Sequence, residues 1–389
     1  MLKRRLFTPG PVEVPPRVLL AMAHPPLHHR TAEFEALLGR TAERLGPIFG
    51  TSRPVLVLAA SGTGGMEAVA VNLARRAEPA VVIRAGKFGE RWGEILAAHA
   101  VPVVPLDVEY GKAPEPSTLE ALLAAHPAVR LVFLTHSETS TGVLVDLEGL
   151  ARVARARGCL VAVDAITSAT AHPLRMDAWG LDAVVSGSQK GFMLPPGLAF
   201  VALSAAAAER LATSDLPRFY FDLGAALGTL AKRTTPFTPA VSLVAGLAEA
   251  LDMLAEEGLD RVIARHAQLG AAARSAITAL GFEVFPERPS NVVTVLRTPA
   301  GLDGDRVRKE LEERFGVKIA GGQGSMKGRI LRLGHLGYYD ATDLFGALSA
   351  LERVLIDARA TAAAPGTAVG AASGHFARRA ASGAGAVIT

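Results

Sequence analysis

The chain has 389 residues, a hydrophobic fraction of 50%, a formal net charge of +4 and one cysteine, Cys159. Its length is sufficient for about two or three domains, and one cysteine excludes both an intrachain disulfide and a cysteine-rich zinc site. No apolar segment approaches the roughly 20 residues of a membrane span. The basic start is followed by prolines rather than by the apolar stretch of a secretory signal. We therefore expect a cytoplasmic protein that does not bind membranes.

The order of the predicted elements indicates an α/β fold. Prolines between residues 8 and 16 fix φ and lack an N–H donor, so residues 1–20 are predicted to form an extended arm. A helix is predicted over 33–49 from its apolar periodicity. Apolar runs then alternate with helical segments, which is typical of parallel strands buried on both faces. The seven predicted strands span residues 55–60, 80–84, 101–106, 129–135, 159–164, 183–186 and 198–203, and the helices between them 65–76, 90–98, 117–125 and 147–157.

The last third of the chain has a different pattern. Residues 241–280 predict helices, and a strand at 292–296, a helix at 304–315, a strand at 330–333 and a helix at 343–357 follow. This predicts a large domain over 21–264, with a mostly parallel seven-stranded sheet, and a smaller C-terminal α/β domain over 265–357. The tail, 358–389, is rich in Ala, Gly and Ser and contains no acidic residue, so we expect it to be disordered.

A glycine-rich turn from Ser61 to Gly65 follows the first predicted strand of the sheet and begins a helix. Free N–H groups and the helix dipole at such a turn favour a bound phosphate. Its spacing matches neither the dinucleotide-binding fingerprint nor the P-loop. An ordinary strand-to-helix turn is the alternative.

Three charged residues occupy positions that suit a ligand site. Asp164 ends a buried strand, where α/β folds bind ligands, although aspartate is also a common helix N-cap. Lys190 follows another strand in apolar surroundings that would lower its pKa and make its amine a nucleophile toward carbonyls; an exposed lysine is the alternative. Arg332 lies in an apolar strand, where it either binds a substrate carboxylate or faces solvent.

Together these features resemble the fold-type I pyridoxal-phosphate (PLP) enzymes. More narrowly, they resemble the class V aminotransferases of the alanine–glyoxylate, serine–glyoxylate and serine–pyruvate group. The resemblance covers about residues 6–357. It is carried by Thr8-Pro9-Gly10-Pro11, Ser61-Gly62-Thr63-Gly64, Thr135-His136-Ser137-Glu138-Thr139-Ser140-Thr141-Gly142, Val163-Asp164-Ala165, Ser186-Gly187-Ser188-Gln189-Lys190, Pro195-Pro196-Gly197 and Leu331-Arg332-Leu333-Gly334-His335-Leu336-Gly337.

The resemblance implies a transaminase with a ping-pong cycle. A small amino acid, alanine or serine, would donate its amino group to the cofactor, and a small 2-oxo acid, glyoxylate or pyruvate, would accept it. Lys190 would be the Schiff-base lysine and proton shuttle. Asp164 would keep the pyridine nitrogen protonated, so that the ring acts as an electron sink. Arg332 would bind the substrate α-carboxylate.

Further cofactor contacts follow from the same resemblance. It assigns Ser61, Gly62, Thr63 and Gln189 to the phosphate, Thr139 to the ring hydroxyl, and Phe88 and Ile166 to the two ring faces. Thr238 would reach the phosphate from a neighbouring subunit, in a homodimer with shared active sites to which the N-terminal arm also contributes. Two departures are Phe88, where many relatives have a larger aromatic, and Thr235, where some have a tyrosine.

Several alternatives remain at this stage. A phosphoserine aminotransferase would need a second anion site, for which His28, His29 and Arg30 are candidates; no metal site is expected from these histidines. Cys159 lies at a strand start and not on a loop, which disfavours a cysteine desulfurase. A nicotinamide-dependent oxidoreductase lacks its glycine fingerprint here.

The pI near 9.4 raises a nucleic-acid-binding protein as a further alternative. However, six of the 41 basic residues lie within 1–5 and 358–389, which contain no acidic residue. Residues 6–357 therefore carry 35 basic and 37 acidic residues, a formal charge of −2. The basic pI belongs to the two ends of the chain, and we expect no nucleic-acid partner.

Overall fold

Thirteen strands form three sheets in the computed structural model, which describes residues 2–381. The strands are β1 (Arg5–Phe7), β2 (Val55–Ala59), β3 (Ala80–Arg84), β4 (Val103–Asp107), β5 (Leu131–Thr135), β6 (Ser137–Glu138), β7 (Val143–Leu144), β8 (Leu160–Asp164), β9 (Ala183–Gly187), β10 (Leu198–Leu203), β11 (Val293–Arg297), β12 (Val317–Gly321) and β13 (Ile330–Gly334).

The described residues also form fourteen α-helices. These are α1 (Pro16–Ala23), α2 (Ala32–Phe49), α3 (Gly62–Leu73), α4 (Lys87–Ala98), α5 (Pro116–Ala125), α6 (Leu147–Ala156), α7 (Met176–Trp179), α8 (Ala205–Arg210), α9 (Leu223–Leu230), α10 (Val241–Glu257), α11 (Leu259–Ala279), α12 (Gly304–Phe315), α13 (Ala341–Asp357) and α14 (Thr367–Ala381). Over residues 2–381, no helix has both the length and the apolar composition that a membrane crossing requires.

The large sheet has the strand order β2-β10-β9-β8-β5-β3-β4. Only β10 runs antiparallel to its neighbours within this sheet, because the connection from β9 to β10 contains no helix to carry the chain back across the sheet. The prediction of a mostly parallel seven-stranded sheet is therefore confirmed. Each predicted strand is present with its bounds shifted by at most two residues.

Both faces of this sheet are buried by helices. Successive side chains of a strand point to opposite faces of the sheet. Val81 and Val82, for example, belong to two separate apolar cores. Helices α3 and α4 cover one face, and α2, α5, α6 and α10 cover the other. The carboxyl ends of β5 and β8 lie side by side, with Thr135 paired to Asp164, and this is where open α/β sheets place their ligands.

The small sheet has the strand order β1-β12-β13-β11 and confirms the predicted smaller α/β unit. Its edge strand β1 comes from the N-terminal arm and pairs in parallel with β12. The extended arm is shorter than predicted, since α1 begins at Pro16, and proline is well tolerated in the first turn of a helix. The predicted boundary between residues 264 and 265 falls inside the continuous helix α11.

The prediction of a disordered tail is wrong for residues 367–381, which form α14. Ala368 and Ala372 are buried in the core shared with α11 and α13. The buried carboxylate of Glu352 accepts hydrogen bonds from the N–H groups of Gly366 at 2.8 Å and Ala368 at 2.9 Å, which holds the start of this helix. The high helix propensity of alanine outweighs the low-complexity composition here. The rest of the predicted tail, 382–389, lies outside the described residues.

Candidate active site

A cavity of about 440 Å³ opens at the carboxyl edge of the large sheet. The β2–α3 turn, the start of α4, the ends of β5 and β8, and the segment after β9 all contribute to it. Its lining residues are Ser61, Gly62, Thr63, Phe88, Arg91, Ser137, Thr139, Asp164, Ile166, Thr167, Gln189 and Lys190. Nine residues singled out from the sequence thus share one cavity, although they come from five separate segments of the chain.

The glycine-rich turn forms the N-terminus of α3. Ser61 is the N-cap, and its hydroxyl accepts a hydrogen bond from the N–H of Gly64 at 3.3 Å. The first N–H groups of a helix have no partner within the helix, so those of Gly62 and Thr63 are available to an anion. A Cβ atom on Gly62 would lie 2.6 Å from Cδ1 of Ile166, so a larger residue here would displace a side chain that lines the cavity.

Lys190 and Asp164 place an amine and a carboxylate on the wall of the cavity. The half-buried Lys190 donates a hydrogen bond from Nζ to the carbonyl oxygen of Pro9 at 2.7 Å. Burial lowers the pKa of Lys190 to about 8, an effect that the charge of Asp164 opposes. Burial raises the pKa of Asp164 to about 7, although its Oδ1 accepts a hydrogen bond from the N–H of Ile166 at 2.8 Å. Because the pKa of Lys190 is lowered, its amine can lose its proton near neutral pH.

The N-terminal arm covers this lysine within the same chain. Gly10 has a φ of +131°, and a Cβ atom there would lie 2.2 Å from Nζ of Lys190. The arm also lies against the small sheet at Gly334. A Cβ atom on Gly334 would lie 2.3 Å from the carbonyl oxygen of Thr8. Glycine at these two positions therefore lets the arm pass between Lys190 and β13.

The ionisation of Asp164 is expected to make the stability of the cofactor-free chain depend on pH. Its pKa is about 7 in the folded chain, against an ordinary value of 3.8. Between these values the folded chain keeps a proton that the unfolded chain has released, so the free energy of unfolding falls as the pH rises. Asp164→Asn keeps the oxygen that accepts from Ile166 but does not titrate. We expect its melting temperature to fall less between about pH 5 and pH 7.5 than that of the parent chain.

The exposed Asp260→Asn variant is the control for this measurement, because Asp260 lies outside the cavity. It should follow the parent chain across the whole pH range. Equal pH slopes for Asp164→Asn and the parent would contradict the assignment of this dependence to Asp164.

Phe88 is held in the cavity by a carboxylate to which sequence reasoning assigned no role. Glu138 is fully buried, and its carboxylate accepts hydrogen bonds from the N–H groups of Phe88 at 3.0 Å and Gly89 at 2.9 Å. Its other oxygen accepts from the N–H and the hydroxyl of Ser140 at 3.1 and 2.6 Å. Glu138 thus fixes the first turn of α4. The neighbouring Trp92 is buried against Phe133 instead.

Glu138→Gln is expected to lower the free energy of unfolding by about 1–3 kcal/mol. An amide has one acceptor oxygen, so its NH₂ group would face buried N–H donors that the carboxylate now satisfies. Denaturant unfolding of the cofactor-free variant and the parent measures this difference. Glu94→Gln, an exposed change on the same helix, is the control and should have no effect. A variant as stable as the parent would show that these hydrogen bonds do not hold α4.

Arg332 lies on β13, next to the cavity and not in its lining. It is 6% exposed, which selects the buried alternative over the solvent-facing one. Nε donates to the carbonyl oxygen of Gly321 at 2.7 Å, and Nη1 donates to that of Thr139 at 2.9 Å. Among residues 2–381, no Asp or Glu forms an ion pair with it, and burial lowers its pKa to about 10. A buried guanidinium without an anion suits a carboxylate ligand.

Thr238 lies apart from the cavity within this chain. It lines a separate, mainly apolar pocket with Tyr220 and Phe237. Arg30 lies near the same segment, where it donates hydrogen bonds to the hydroxyl of Thr234 and to the carbonyl oxygen of Thr235 at 3.0 Å. The single chain therefore brings neither Thr238, Thr235 nor Arg30 to Lys190.

Cys159 is also remote from the cavity. It is 3% exposed and belongs to the apolar core beneath the large sheet. Its thiol donates to the carbonyl oxygen of Val129 at 3.4 Å, and burial raises the pKa of the thiol. This is the environment of an unreactive core cysteine, as the sequence predicts.

Sequence reasoning missed three lining residues, Arg91, Ser137 and Thr167. Arg91 had a usable signal, because it lies one helical turn after Phe88 and so on the same face of α4. Its Nη1 donates to the hydroxyl of Thr63 at 3.2 Å, and its guanidinium carbon lies 4.9 Å from the centroid of the Phe88 ring. Ser137 and Thr167 follow the ends of β5 and β8, where strand-end polar residues gather.

Two curated relatives are similar to almost the whole chain. The small subunit of a soluble hydrogenase from Synechococcus sp. (strain PCC 6716) is 42% identical over 376 residues, which is 95% of this chain and 98% of the relative. The serine–glyoxylate aminotransferase of Methylorubrum extorquens is 33% identical over 387 residues, which is 96% of each chain.

A solved structure and a family model agree with the fold. The crystal structure of an aspartate aminotransferase of subgroup IV from Thermus thermophilus has a TM-score of 0.85 and 37% sequence identity, covering 91% of this chain and 99% of that one. The model of the family described as aminotransferase class V matches residues 7–335. This chain therefore belongs to the class V aminotransferases, which are fold-type I transaminases.

Proposed function

We propose that this chain is a PLP-dependent transaminase that moves an amino group from alanine or serine to glyoxylate or pyruvate. The observation that carries the proposal is that Lys190 and Asp164 line one cavity beside a phosphate-type helix N-terminus. Class V aminotransferases generally use PLP. When bound, PLP would act as an electron sink for the carbanion that forms when the substrate Cα loses its proton.

The residues of the cavity fit this cofactor. The N–H groups of Gly62 and Thr63 would bind the phosphate together with the hydroxyl of Ser61. The carboxylate of Asp164 would pair with the ring nitrogen, and a cation there would lower the pKa of Asp164 from about 7. Gln189 has a buried Oε1 atom without a hydrogen-bond partner among the described residues. With the amide rotated by half a turn, its NH₂ group would occupy this place and donate to the phosphate.

The ring itself would lie between Phe88 and Ile166, with the hydroxyl of Thr139 near the ring hydroxyl. Both Phe88 and Ile166 line the cavity. Glu138 supports the first of them through the start of α4. The second follows Asp164 by two residues, so the same segment would hold the ring nitrogen and one ring face.

Lys190 would bind the cofactor carbonyl and then move the substrate proton. Its lowered pKa, about 8, keeps a usable fraction of the amine unprotonated near neutral pH. Arg332 would bind the α-carboxylate of both substrates, since its guanidinium meets backbone carbonyls but no carboxylate of the described residues. Because the oxo acid formed from the donor would leave before the acceptor oxo acid binds, the cycle would be ping-pong.

A homodimer would complete the site. Thr238 would reach the phosphate from the other subunit, since within its own chain it lines a different pocket. Phe219 and Tyr220, near Thr238 in that region, are 80% and 48% exposed. Neighbouring exposed aromatic side chains of this kind are typical of a subunit interface.

The choice of small, uncharged donors rests on one observation. The relative from Methylorubrum extorquens is named a serine–glyoxylate aminotransferase. Arg30, the candidate for binding a substrate phosphate, is held by Thr234 and Thr235, in the segment of Thr238 that would reach the site of the other subunit. Phosphoserine is therefore included as a donor in the rate comparison.

A matrix of initial rates tests the proposal. Alanine, serine, aspartate and phosphoserine are each paired with glyoxylate, pyruvate and 2-oxoglutarate on the PLP-loaded protein. We expect the highest kcat/KM for alanine or serine with glyoxylate or pyruvate, and parallel double-reciprocal lines. The highest value for phosphoserine with 2-oxoglutarate would establish the alternative activity, and the highest value for aspartate would assign a dicarboxylic donor.

A further inference from the structure

We propose that Arg91 is the cationic partner of the cofactor phosphate and the main source of selectivity for the phosphorylated cofactor. This inference rests on the proposed function, because it requires PLP at the β2–α3 turn. The motifs that carry the family resemblance assign the phosphate to hydroxyl, amide and backbone N–H groups only. Arg91 adds a full positive charge to that set.

Arg91 lies on the face of α4 that lines the cavity. Arg91 follows Phe88 by one helical turn, and its guanidinium carbon lies 4.9 Å from the centroid of that ring. Its Nη1 atom reaches the hydroxyl of Thr63 at 3.2 Å. The guanidinium therefore bridges the phenyl ring and the glycine-rich turn, and it lines the same cavity as both. An anion on the N–H groups of Gly62 and Thr63 would lie within its reach.

The positive charge of Arg91 has no carboxylate partner among the described residues. Within the described part of the chain, Arg91 forms no ion pair, and its contacts are Thr63 and the Phe88 ring. Arg84, the arginine that precedes it on β3, is instead held by two hydrogen bonds of 2.7 Å to the carboxylate of Asp107. A half-buried arginine at a cavity wall without a carboxylate leaves its donors free for a ligand anion.

A bound phosphate would carry more negative charge than the N-terminus of α3 can neutralise. A phosphate monoester has a charge of about −1.5 to −2 at pH 7, whereas a helix N-terminus is equivalent to only about +0.5. The other two cations near the cavity have different tasks, since Lys190 would react at the carbonyl and Arg332 contacts Gly321 and Thr139. Among the described residues, Arg91 is the cation that contacts the turn itself.

Two other roles for Arg91 make different predictions. If it only held the Phe88 ring in place, its loss would weaken the binding of every form of the cofactor equally. If it bound the second carboxylate of a dicarboxylic substrate, its loss would raise the KM for aspartate and leave cofactor binding unchanged. Pyridoxal, which has the ring and aldehyde of PLP but no phosphate, separates these roles.

The experiment measures equilibrium dissociation constants of PLP and of pyridoxal for the cofactor-free parent, Arg91→Gln and Arg91→Lys. We expect Arg91→Gln to weaken PLP binding by about 10- to 100-fold and pyridoxal binding by less than about twofold. Arg91→Lys keeps the charge but loses the planar fork, so its affinity for PLP should lie between those of the parent and Arg91→Gln. Arg152→Gln, an exposed change on α6, is the matched control and should leave both constants unchanged.

Three outcomes would overturn the inference. They are equal weakening of PLP and pyridoxal, unchanged binding of both, and a change confined to the KM for aspartate. If Arg91→Gln does not fold, as judged by its melting temperature and circular dichroism, the comparison of Arg91→Lys with the parent decides. A parent chain that does not bind PLP would overturn the proposed function as well, whereas normal binding by both parent and variants overturns only the role of Arg91.

Discussion

Lys190→Ala is expected to lower kcat by about 10⁴-fold or more. Among the described residues, Lys190 supplies the amine that lines the cavity, so its removal takes away both the covalent attachment point and the group that moves the proton. The rate of amino transfer from alanine to glyoxylate measures the loss. Borohydride reduction followed by mass spectrometry should give a covalent PLP adduct on the parent chain and none on the variant.

Lys190→Arg separates the chemistry of this residue from its structural contact. Arginine keeps a donor for the carbonyl oxygen of Pro9, which Lys190 now contacts at 2.7 Å, but it cannot form a Schiff base. We therefore expect a folded, inactive protein. Lys309→Ala, at an exposed lysine of α12, should retain full activity and the adduct. Turnover by Lys190→Ala at the parent rate, with the same adduct, would refute the assignment.

Arg332→Gln is expected to raise the KM for the amino donor by about 100-fold, which corresponds to the loss of a bidentate, charge-assisted pair with the substrate carboxylate. The KM for the oxo acid should rise as well, because both substrates have a carboxylate next to the reacting carbon. The melting temperature without substrate should fall little, since the variant removes a buried charge that no carboxylate of the described residues neutralises. Arg332→Gln is thus expected to weaken substrate binding strongly while lowering the melting temperature only slightly.

The control for Arg332 lies in the adjoining segment. Arg329 is exposed, so Arg329→Gln changes the charge nearby and should leave both KM values unchanged. An Arg332→Gln enzyme with the KM values of the parent would show that another group binds the carboxylate. A loss of kcat alone, with KM unchanged, would indicate an effect on the cofactor through Thr139.

Local patterns were sufficient to predict the large sheet. Its strands are continuous apolar runs that end in polar or glycine-rich segments, and parallel strands bring such ends to one edge. The residues at those ends, from Ser61 to Lys190, therefore meet in the cavity although they are far apart in sequence. The resemblance to a family added roles for these residues that periodicity alone does not give.

Other features depend on contacts that no local pattern contains. The pairing of β1 with β12 joins two segments from opposite ends of the chain, and the two short strands have no distinctive periodicity. The acceptor for Lys190 is a backbone carbonyl, that of Pro9, so its side-chain identity carries no signal. Glu138 holds the start of α4, about 50 residues before it in the chain, and no pattern around Glu138 indicates that contact.

The pairing of Arg5 with Val317 also sets an order of events during synthesis. The strands of the large sheet and Lys190 leave the ribosome well before β12 exists, so β1 has no partner and Pro9 has no fixed position at that time. Between Lys190 and the end of β12 lie roughly 130 residues, which take about 7–26 seconds to translate. We therefore expect the nascent chain to complete the sheet that carries its lysine first, and to cover that lysine with the arm only when the C-terminal part is made.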